Sequence, residues 1–262
     1  MVSRIIHQTW KGYETEEPYS SWVASWRSIP GWTHKLWNDD DNDYFVYSNR
    51  DKLPPKLWDV YKSVDAKIKR VDIARLVMLY IEGGVYVDLD FEAFSACGSI
   101  LESILSDERN LDKAYLGLEP WSHGDRMRVP FIVCNAWMFS PRPFHPFWKL
   151  CLEEIVHKEA DGNPVSATGP ILMTRLLISR PDSEAVAKLF LFHPDVLYPI
   201  PLVLDSKHRT ATCRHLDESS KRLLEAREPK SIAAHHWCSS WWSGGGGKGK
   251  YADPSKQKGN MK

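Results

Sequence analysis

The sequence has no net charge and no long apolar run. Its 34 basic and 34 acidic residues cancel, which excludes a protein that binds nucleic acid through a general positive charge. No apolar run is long enough to span a bilayer, and neither an N-terminal apolar signal segment nor an Asn-x-Ser/Thr sequon is present. The sequence therefore predicts no transmembrane segment, and any anionic ligand must be held by a local group of residues.

Cysteine is scarce and unpatterned. The five cysteines are odd in number and widely spaced, and they form neither a Cys-x-x-Cys pair nor a zinc-binding pattern. We therefore expect reduced thiols and a cytoplasmic protein. The residues concerned are Cys97, Cys134, Cys151, Cys213 and Cys238.

The length and the composition along the chain indicate one folded domain and a tail. A chain of 262 residues is long enough to bury a substantial core in one large domain. From residue 243 the composition changes to Gly and Lys without apolar periodicity, which is typical of disorder. The predicted boundaries are a domain over residues 1–242 and a disordered Gly/Lys-rich tail over residues 243–262.

Strand and helix patterns alternate along the domain, which is typical of βαβ units and predicts an α/β fold. The predicted helices cover residues 20–28, 66–82, 100–105, 147–159 and 169–179. The predicted strands cover residues 4–10, 34–37, 85–90, 114–118, 131–140 and 196–200.

The chemistry concentrates at the end of the helix predicted over 66–82 and in the strand that follows it. Asp72 and Arg75 are three residues apart and therefore share one helix face. Gly83 and Gly84 end the helix. In the following strand, alternation places Asp88 and Asp90 on the same side, roughly 6.6 Å apart along the strand.

Two carboxylates at a strand end are suited to a hard divalent cation. Mn²⁺ and Mg²⁺ keep open coordination positions that a diphosphate can fill. Asp-x-Asp alone is also common in solvated turns. Here, however, Asp88 and Asp90 follow an apolar strand beside Asp72 and Arg75, and clustered ionisable groups are costly to bury unless they pair or bind a ligand. The pattern predicts a metal site for a nucleotide diphosphate.

Four ordered motifs resemble one family across residues 4–242. They are the string from Asp72 to Asp90, the opening strand 5–10 (IIHQTW), the Thr-Gly-Pro at 168–170 and the closing segment 235–241 (HHWCSSW). Together they resemble the glycosyltransferases with a sugar-binding Asp-x-Asp region. That family includes the yeast initiating α-1,6-mannosyltransferase, inositolphosphorylceramide mannosyltransferases, α-1,4-galactosyltransferases and bacterial capsular enzymes, with the clostridial glucosylating toxins as more distant relatives.

The resemblance implies a GT-A fold, with a single Rossmann-like mixed sheet flanked by helices. It also implies transfer of a hexose, with retained anomeric configuration, from a nucleotide-diphosphate sugar to a glycan or glycolipid acceptor. GDP-mannose is the first expectation for the donor, and UDP-galactose or UDP-glucose is the alternative. A Golgi-lumenal catalytic domain without its anchor becomes the alternative to a cytoplasmic protein.

The same resemblance implies roles for residues before the Asp-x-Asp pair. Trp10 would stack on the nucleobase, with Thr9 close by. Asp72 and Arg75 would hold hydroxyls of the donor sugar, and a guanidinium is also suited to a phosphate oxygen. Later in the chain, the position of Asn135 after an apolar strand lets it either reach the donor sugar or the acceptor or cap the end of its strand.

The remaining implied contacts concern the metal and the diphosphate. Asp88 would touch the ribose and the metal, and Asp90 would bind the metal directly. His236 is the expected third ligand, although alternation alone does not decide between it and His235, of which only one points inward. Ser239 and Trp241 would contact the diphosphate. Asp72, Arg75 and Asp90 are the predicted catalytic residues.

Two further segments carry weaker predictions. Asn38 and Asp39 follow a strand near the expected nucleotide, but a solvated Asx turn is the preferred interpretation. Glu119, Trp121 and Asp125 are expected in a loop that meets the acceptor.

No residue stands out as a nucleophile, so the favoured hypothesis is front-face attack with the departing phosphate as base. Two other classes of protein remain open. One is a haloacid dehalogenase-type phosphohydrolase, although Glu92 stands where that class normally has Thr or Val. The other is an inactive glycan-binding module on the same fold, against which the intact Asp and Arg residues argue.

Overall fold

The structure, a computed structural model, describes residues 1–200, 221, 222, 224, 226, 228 and 230–238. The strands of this part are β1 (Ile5–Thr9), β2 (Thr33–Trp37), β3 (Gly84–Val87), β4 (Phe91–Ala93), β5 (Ala114–Leu118), β6 (Val133–Ser140), β7 (Leu189–Phe192) and β8 (Ala233–His235). Its α-helices are α1 (Tyr19–Arg27), α2 (Asp39–Ser48), α3 (Leu57–Ser63), α4 (Lys67–Ile81), α5 (Cys97–Ser106), α6 (Trp121–Met127), α7 (Pro146–His157), α8 (Pro164–Ala167), α9 (Pro170–Ser179), α10 (Glu184–Ala187) and α11 (Pro194–Leu197).

Six strands form one mixed sheet in the order β2-β1-β3-β6-β5-β7. β1 runs parallel to β2 and β3, whereas β6 runs antiparallel to β3 and β5. The small β4 and β8 strands pair antiparallel in a second sheet. Because β1, β2 and β3 are parallel, their carboxyl ends meet at one edge, which is where ligands bind in open α/β sheets.

Alternation along the strands divides the core between the two faces of the large sheet. In β3, Val85 and Val87 pack with residues of α1 and α5. Tyr86 points to the other face and packs with α4, α7 and α9. Since successive side chains of a strand point to opposite faces, each face is covered by its own helix layer. The prediction of an α/β domain with a single large mixed sheet flanked by helices is confirmed.

Helix α4 lies beneath the functional edge of the sheet. Its apolar positions surround the whole helix instead of forming one stripe, and ten of its fifteen residues are buried, as expected for an interior helix. Asp72 and Arg75 lie on it and are themselves buried, at 4 % and 3 % exposure. The fold therefore places two charged groups where little of their surface is exposed to water.

The turn between α4 and β3 requires glycine. Gly83 and Gly84 have φ of +68° and +85°, a region that side chains rarely adopt. A Cβ atom on Gly84 would clash with the backbone oxygen of Ile5. The buried His7 ring donates from Nε2 to the oxygen of Gly83 over 3.0 Å and accepts at Nδ1 from the indole of Trp37. Burial lowers the pKa of His7 to about 3, so the ring is neutral at physiological pH.

Several element predictions need correction. The strand predicted over 196–200 is wrong, because His193 caps a short helix with Pro194 at its first position. β7 was missed. The strand predicted to reach Asp90 ends at Val87, and both aspartates lie in the turn that follows. The acidic run after β2 forms α2 instead of a solvated turn, because Asn38 and Asp41 make a capping box.

In the described part of the chain, no helix combines the length and apolarity that a membrane span requires. The expectation of five reduced thiols is partly wrong: Cys97, Cys134 and Cys151 are free and buried, but Cys238 is disulfide-bonded. Cys213 and the tail predicted over residues 243–262 lie outside the described residues.

We predict that Gly84→Ala destabilises the protein by more than about 2 kcal/mol, because it adds the cost of a positive φ to a clash with the backbone of β1. Gly12→Ala is the control, since nothing lies within 4 Å of a Cβ atom there, and it should change stability by less than about 0.5 kcal/mol. Urea unfolding measures both variants. Equal effects would contradict this explanation of the turn.

Candidate functional site

A cavity of about 430 Å³ opens at the edge where β1, β2 and β3 end. It contains every predicted donor-site residue that the structure describes, with the exception of His236. Those residues are Thr9, Trp10, Asp72, Arg75, Asp88, Asp90 and Asn135. Further lining residues are Lys11, Tyr19, Asp39, Lys67, Ile68, Val71, Leu89, Pro164, Val165, Gly169, Pro170 and His235. Ser239 and Trp241, the predicted diphosphate contacts, lie outside the described residues.

Arg75 is the buried cation of this site. Its guanidinium donates to the backbone oxygen of Asn135 at 2.9 Å and lies 3.2 Å from Asp88 and 3.3 Å from Asp72. The same group stacks 4.5 Å above the ring of Tyr86. Burial alone would lower the pKa of Arg75, but the surrounding acidic groups raise it. Arg75 is therefore permanently charged and joins α4 to the end of β3.

Asp72 is held by two hydrogen-bond donors from other elements. Asn135 donates its amide to Oδ1 over 2.9 Å, and Thr168 donates its hydroxyl to Oδ2 over 2.8 Å. Burial raises the pKa of Asp72 to about 6, although Arg75 and the hydrogen bond from Thr168 oppose that rise. At neutral pH Asp72 is an oriented carboxylate whose remaining lone pairs can accept hydroxyl protons of a ligand.

Asp88 is positioned by Tyr86, which lies two residues earlier on the same side of the chain. The phenol of Tyr86 donates to Oδ1 of Asp88 over 2.9 Å and lies 2.9 Å from the hydroxyl of Thr9. Burial and the neighbouring Asp90 raise the pKa of Asp88, while Arg75 opposes this shift. The side chain remains 28 % exposed, so an oxygen is accessible from the cavity.

Asp90 links the Asp-x-Asp turn to the end of the described chain. Its Oδ2 accepts from the backbone N–H of Cys238 at 2.7 Å, and its Oδ1 lies 3.1 Å from Nε2 of His235. Burial raises the pKa of Asp90, but His235 and these hydrogen bonds outweigh burial, so the pKa falls below its usual range. Asp90 is charged at neutral pH, and Asp90 raises the pKa of His235 against its burial.

The structure brings His235, and not the expected His236, to the two aspartates. In the β4–β8 pair His235 lies opposite Phe91, and their rings stack at 4.9 Å. The next side chain points the other way, as alternation requires. His236 is fully buried, stacks on Trp22 at 4.1 Å and lies 3.2 Å from Glu92. His236 therefore has a packing environment, and the candidate ligand is its neighbour.

Asp88, Asp90 and His235 form a group whose candidate ligand atoms all lie within 4.8 Å of one another. Two carboxylate oxygens and an imidazole nitrogen suit Mn²⁺ and are compatible with Mg²⁺. Nδ1 of His235 is buried without a hydrogen-bond partner, so the polar contacts of this ring converge on Nε2 alone. The residues present fit a divalent cation.

The predicted acceptor loop is only partly as expected. Residues 121–127 form α6, and Trp121 is 52 % exposed. Glu119 is buried and lies 2.8 Å from Nδ1 of His123. Neither Glu119, Trp121 nor Asp125 lines the cavity, so contact of these residues with an acceptor stays a prediction.

Sequence reasoning missed three contributors to the site and gave too little weight to a fourth, Asp39. Tyr86 and Thr168 were read only as parts of motifs, yet each donates a hydrogen bond to a functional carboxylate. Tyr19 packs against Trp10 at 4.9 Å. Asp39 lines the cavity, and the capping box that places it there was readable in the Asn38-x-x-Asp41 spacing.

Residues 16–110 match the profile of the glycosyltransferase sugar-binding region containing a DXD motif. This stretch includes Asp72, Arg75, Asp88 and Asp90. Over these residues the chain is similar to the glycosyltransferases with a sugar-binding DXD region. The resemblance found in the sequence is therefore confirmed.

Similar proteins carry glycosyltransferase names. Inositol phosphoceramide mannosyltransferase 1 of Schizosaccharomyces pombe is 32 % identical over 150 residues, which are 56 % of this chain and 40 % of that protein. An uncharacterized glycosyltransferase of Acanthamoeba polyphaga mimivirus is 24 % identical over 81 % of this chain and 79 % of that protein. A solved glycosyltransferase involved in glycosylation of the major capsid of PBCV-1 is 12 % identical, with a TM-score of 0.43 over 90 % of this chain and 94 % of that chain. The chain spans less than half the length of the mannosyltransferase relatives that it matches.

We predict that Thr168→Val makes stability more dependent on pH. The pKa of Asp72 is higher in the folded state than its value of about 4 in an unfolded chain, so this group costs stability as pH rises from about 4 to 6. Loss of the Thr168 hydrogen bond raises that pKa further. The variant should therefore lose about 1–3 kcal/mol at pH 8 and less at pH 5.

Thr174→Val is the matched control for this measurement. Thr174 is equally buried, but its hydroxyl accepts from the backbone N–H of Val133 and touches no carboxylate. Its loss of stability in urea unfolding should be the same at both pH values. The same pH-independent loss in Thr168→Val would show that Thr168 does not stabilise the charged form of Asp72.

Proposed function

We propose that this chain is a metal-dependent glycosyltransferase that moves a hexose from a nucleotide-diphosphate sugar to a glycan or glycolipid acceptor. The observation that carries the proposal is the convergence of Asp88, Asp90 and His235 beside the buried Asp72–Arg75 pair in one cavity. Such an arrangement combines a site for a cation with groups that recognise hydroxyls. A nucleotide-diphosphate sugar presents both chemistries.

Asp88, Asp90 and His235 would hold Mn²⁺ or Mg²⁺. When bound, the cation supplies Lewis-acid stabilisation of the charge that develops on the departing diphosphate. The protein's own contribution is preorganisation. Tyr86 orients Asp88, and the backbone N–H of Cys238 orients Asp90, so both carboxylates are held in place before a ligand binds.

Asp72 and Arg75 take different parts in this proposal. Asp72 accepts hydrogen bonds from hydroxyls of the donor sugar, because Asn135 and Thr168 fix its plane and leave lone pairs free. Arg75 already contacts three acceptors of the protein and is 3 % exposed. Its main role is to fix the positions of Asp72 and Asp88 relative to each other. Its positive charge also attracts the diphosphate.

Mannose is the proposed sugar, and a glycolipid the first acceptor class to test. The support is that the relatives include inositol phosphoceramide mannosyltransferases of Schizosaccharomyces pombe. Galactose and glucose on UDP are the alternatives. The names of these relatives also favour sugar transfer over the phosphohydrolase and inactive-module alternatives.

We propose transfer with retention through front-face attack. A double-displacement route needs an uncommitted carboxylate beneath the anomeric carbon. Among the described lining residues, Asp72 is hydrogen-bonded twice, Asp39 is ion-paired with Lys67, and Asp88 and Asp90 face the proposed cation. A glycosylated carboxylate trapped by mass spectrometry would contradict this route.

The cytoplasmic location stays a prediction. The disulfide at Cys238 supports the lumenal alternative, because disulfides persist mainly in oxidising compartments. Thiol labelling of the protein in intact cells and in lysed cells distinguishes the two locations.

We predict that a nucleoside diphosphate stabilises the wild type only when Mn²⁺ is present. Binding to the folded state alone raises its melting temperature through mass action, and the proposal requires both components in one site. Asp90→Ala should lose this stabilisation, whereas the exposed Asp182→Ala should keep it. Thermal-shift curves with GDP and UDP, with and without Mn²⁺, measure the effect. No metal-dependent shift with either nucleotide would contradict the proposed function.

The two adjacent histidines should behave differently. His235→Gln should weaken Mn²⁺ affinity at least tenfold. Mutation of residues that only hydrogen-bond to a metal ligand already costs about tenfold in metal affinity. His236→Gln should leave Mn²⁺ affinity unchanged but lower the melting temperature, because it disturbs the stack on Trp22. Calorimetric titration with Mn²⁺ in the presence of the nucleotide measures the Mn²⁺ affinity of each variant. The reverse pattern would make His236 the ligand.

A further inference from the structure

One wall of the cavity is not used by the metal, the diphosphate or the sugar. It includes Asp39 and Lys67, which line the same cavity as Trp10 and Tyr19. Trp10 directly follows β1, and its N–H donates to the oxygen of Trp37, the last residue of β2, at 2.9 Å. Asp39 comes two residues after Trp37. The aromatic ring expected to stack on a nucleobase and this carboxylate therefore leave the sheet at the same edge.

The position of Asp39 is fixed by the start of α2. The capping box of Asn38 and Asp41 sets this helix terminus, and Asp39 is the first helical residue. Its side chain is 26 % exposed and forms an ion pair with Lys67, the first residue of α4. The next carboxylate, Asp40, is exposed and does not line the cavity. The two helix termini thus present one anionic and one cationic group side by side.

This pair matches the polar edge of guanine. That edge presents, in order, an acceptor (O6) and two donors (N1–H and the N2 amine). A lysine ammonium beside a carboxylate offers a donor followed by two acceptors. The uracil edge presents an acceptor, a donor and a second acceptor, so one carboxylate oxygen would face a carbonyl oxygen. With guanine, each donor therefore meets an acceptor. With uracil, two acceptors meet and repel each other, which disfavours that base.

We propose that Asp39 and Lys67 select a guanine nucleotide as the donor's base. The carboxylate of Asp39 accepts from N1–H and the N2 amine, and Lys67 donates to O6. This inference rests on the proposed function and adds the identity of the base to it. The ion pair between Asp39 and Lys67 opposes binding only weakly, because partly exposed ion pairs contribute little net stability. The two side chains also stay paired while they contact the base.

The test compares GDP, inosine diphosphate and UDP on the wild type, Asp39→Asn and Asp40→Asn, by calorimetry with Mn²⁺. Inosine diphosphate keeps O6 and N1–H but lacks the N2 amine. The wild type should bind GDP at least about tenfold more tightly than inosine diphosphate or UDP, because hydrogen bonds to a charged group are involved. Asp39→Asn should lose at least about tenfold in GDP affinity and bind GDP and inosine diphosphate alike. Asp40→Asn removes the same charge from the same helix turn and should match the wild type.

Two results would overturn the inference while leaving the proposed function intact. One is tighter binding of UDP than of GDP by the wild type. The other is an unchanged preference for GDP over inosine diphosphate in Asp39→Asn. Failure of all three nucleotides to bind the wild type with Mn²⁺ would instead overturn the proposed function itself.

Discussion

The buried guanidinium of Arg75 holds the functional edge of this protein together. It bridges a carboxylate of its own helix, Asp72, and a carboxylate beyond the next strand, Asp88, and also binds the backbone of β6 at Asn135. A charge without water is costly unless it is paired and hydrogen-bonded. The three contacts pair the charge and satisfy part of the guanidinium's hydrogen bonding, and they form only when α4, β3 and β6 are in their native arrangement. The cation thereby couples the geometry of the site to the fold.

The charge balance of the site explains its proposed chemistry. Asp72, Asp88 and Asp90 contribute three carboxylates, whereas Arg75 is the permanent cation among the residues that contact them in the described part of the chain. His235 adds a positive charge only when it is protonated. Burial makes the negative charge costly to hold, which is why the pKa of Asp72 and of Asp88 is raised. A divalent cation between Asp88, Asp90 and His235 would relieve this repulsion and create the proposed site for a diphosphate.

Much of this arrangement could be predicted from the sequence, because it depends on local spacing. The i, i+3 relation of Asp72 and Arg75, the glycine stop and the alternation in β3 are properties of neighbouring residues. Partners from distant elements had no such signal. Thr168 meets Asp72 across 96 positions, and the choice of His235 over His236 depends on the register of β8 against β4. Asp39 was underrated because an acidic run after a strand is usually a solvated turn, and here it starts a helix that lines the cavity.

The proposed metal centre can be located directly in crystals grown with Mn²⁺ and GDP. Anomalous diffraction from manganese should give one strong peak at the carboxylate oxygens of Asp88 and Asp90 and at Nε2 of His235, with ligand distances of about 2.0–2.3 Å. The diphosphate should complete its coordination. A manganese peak elsewhere, or GDP bound in this cavity without manganese at the three residues, would contradict the assignment of Asp88, Asp90 and His235 as the metal site.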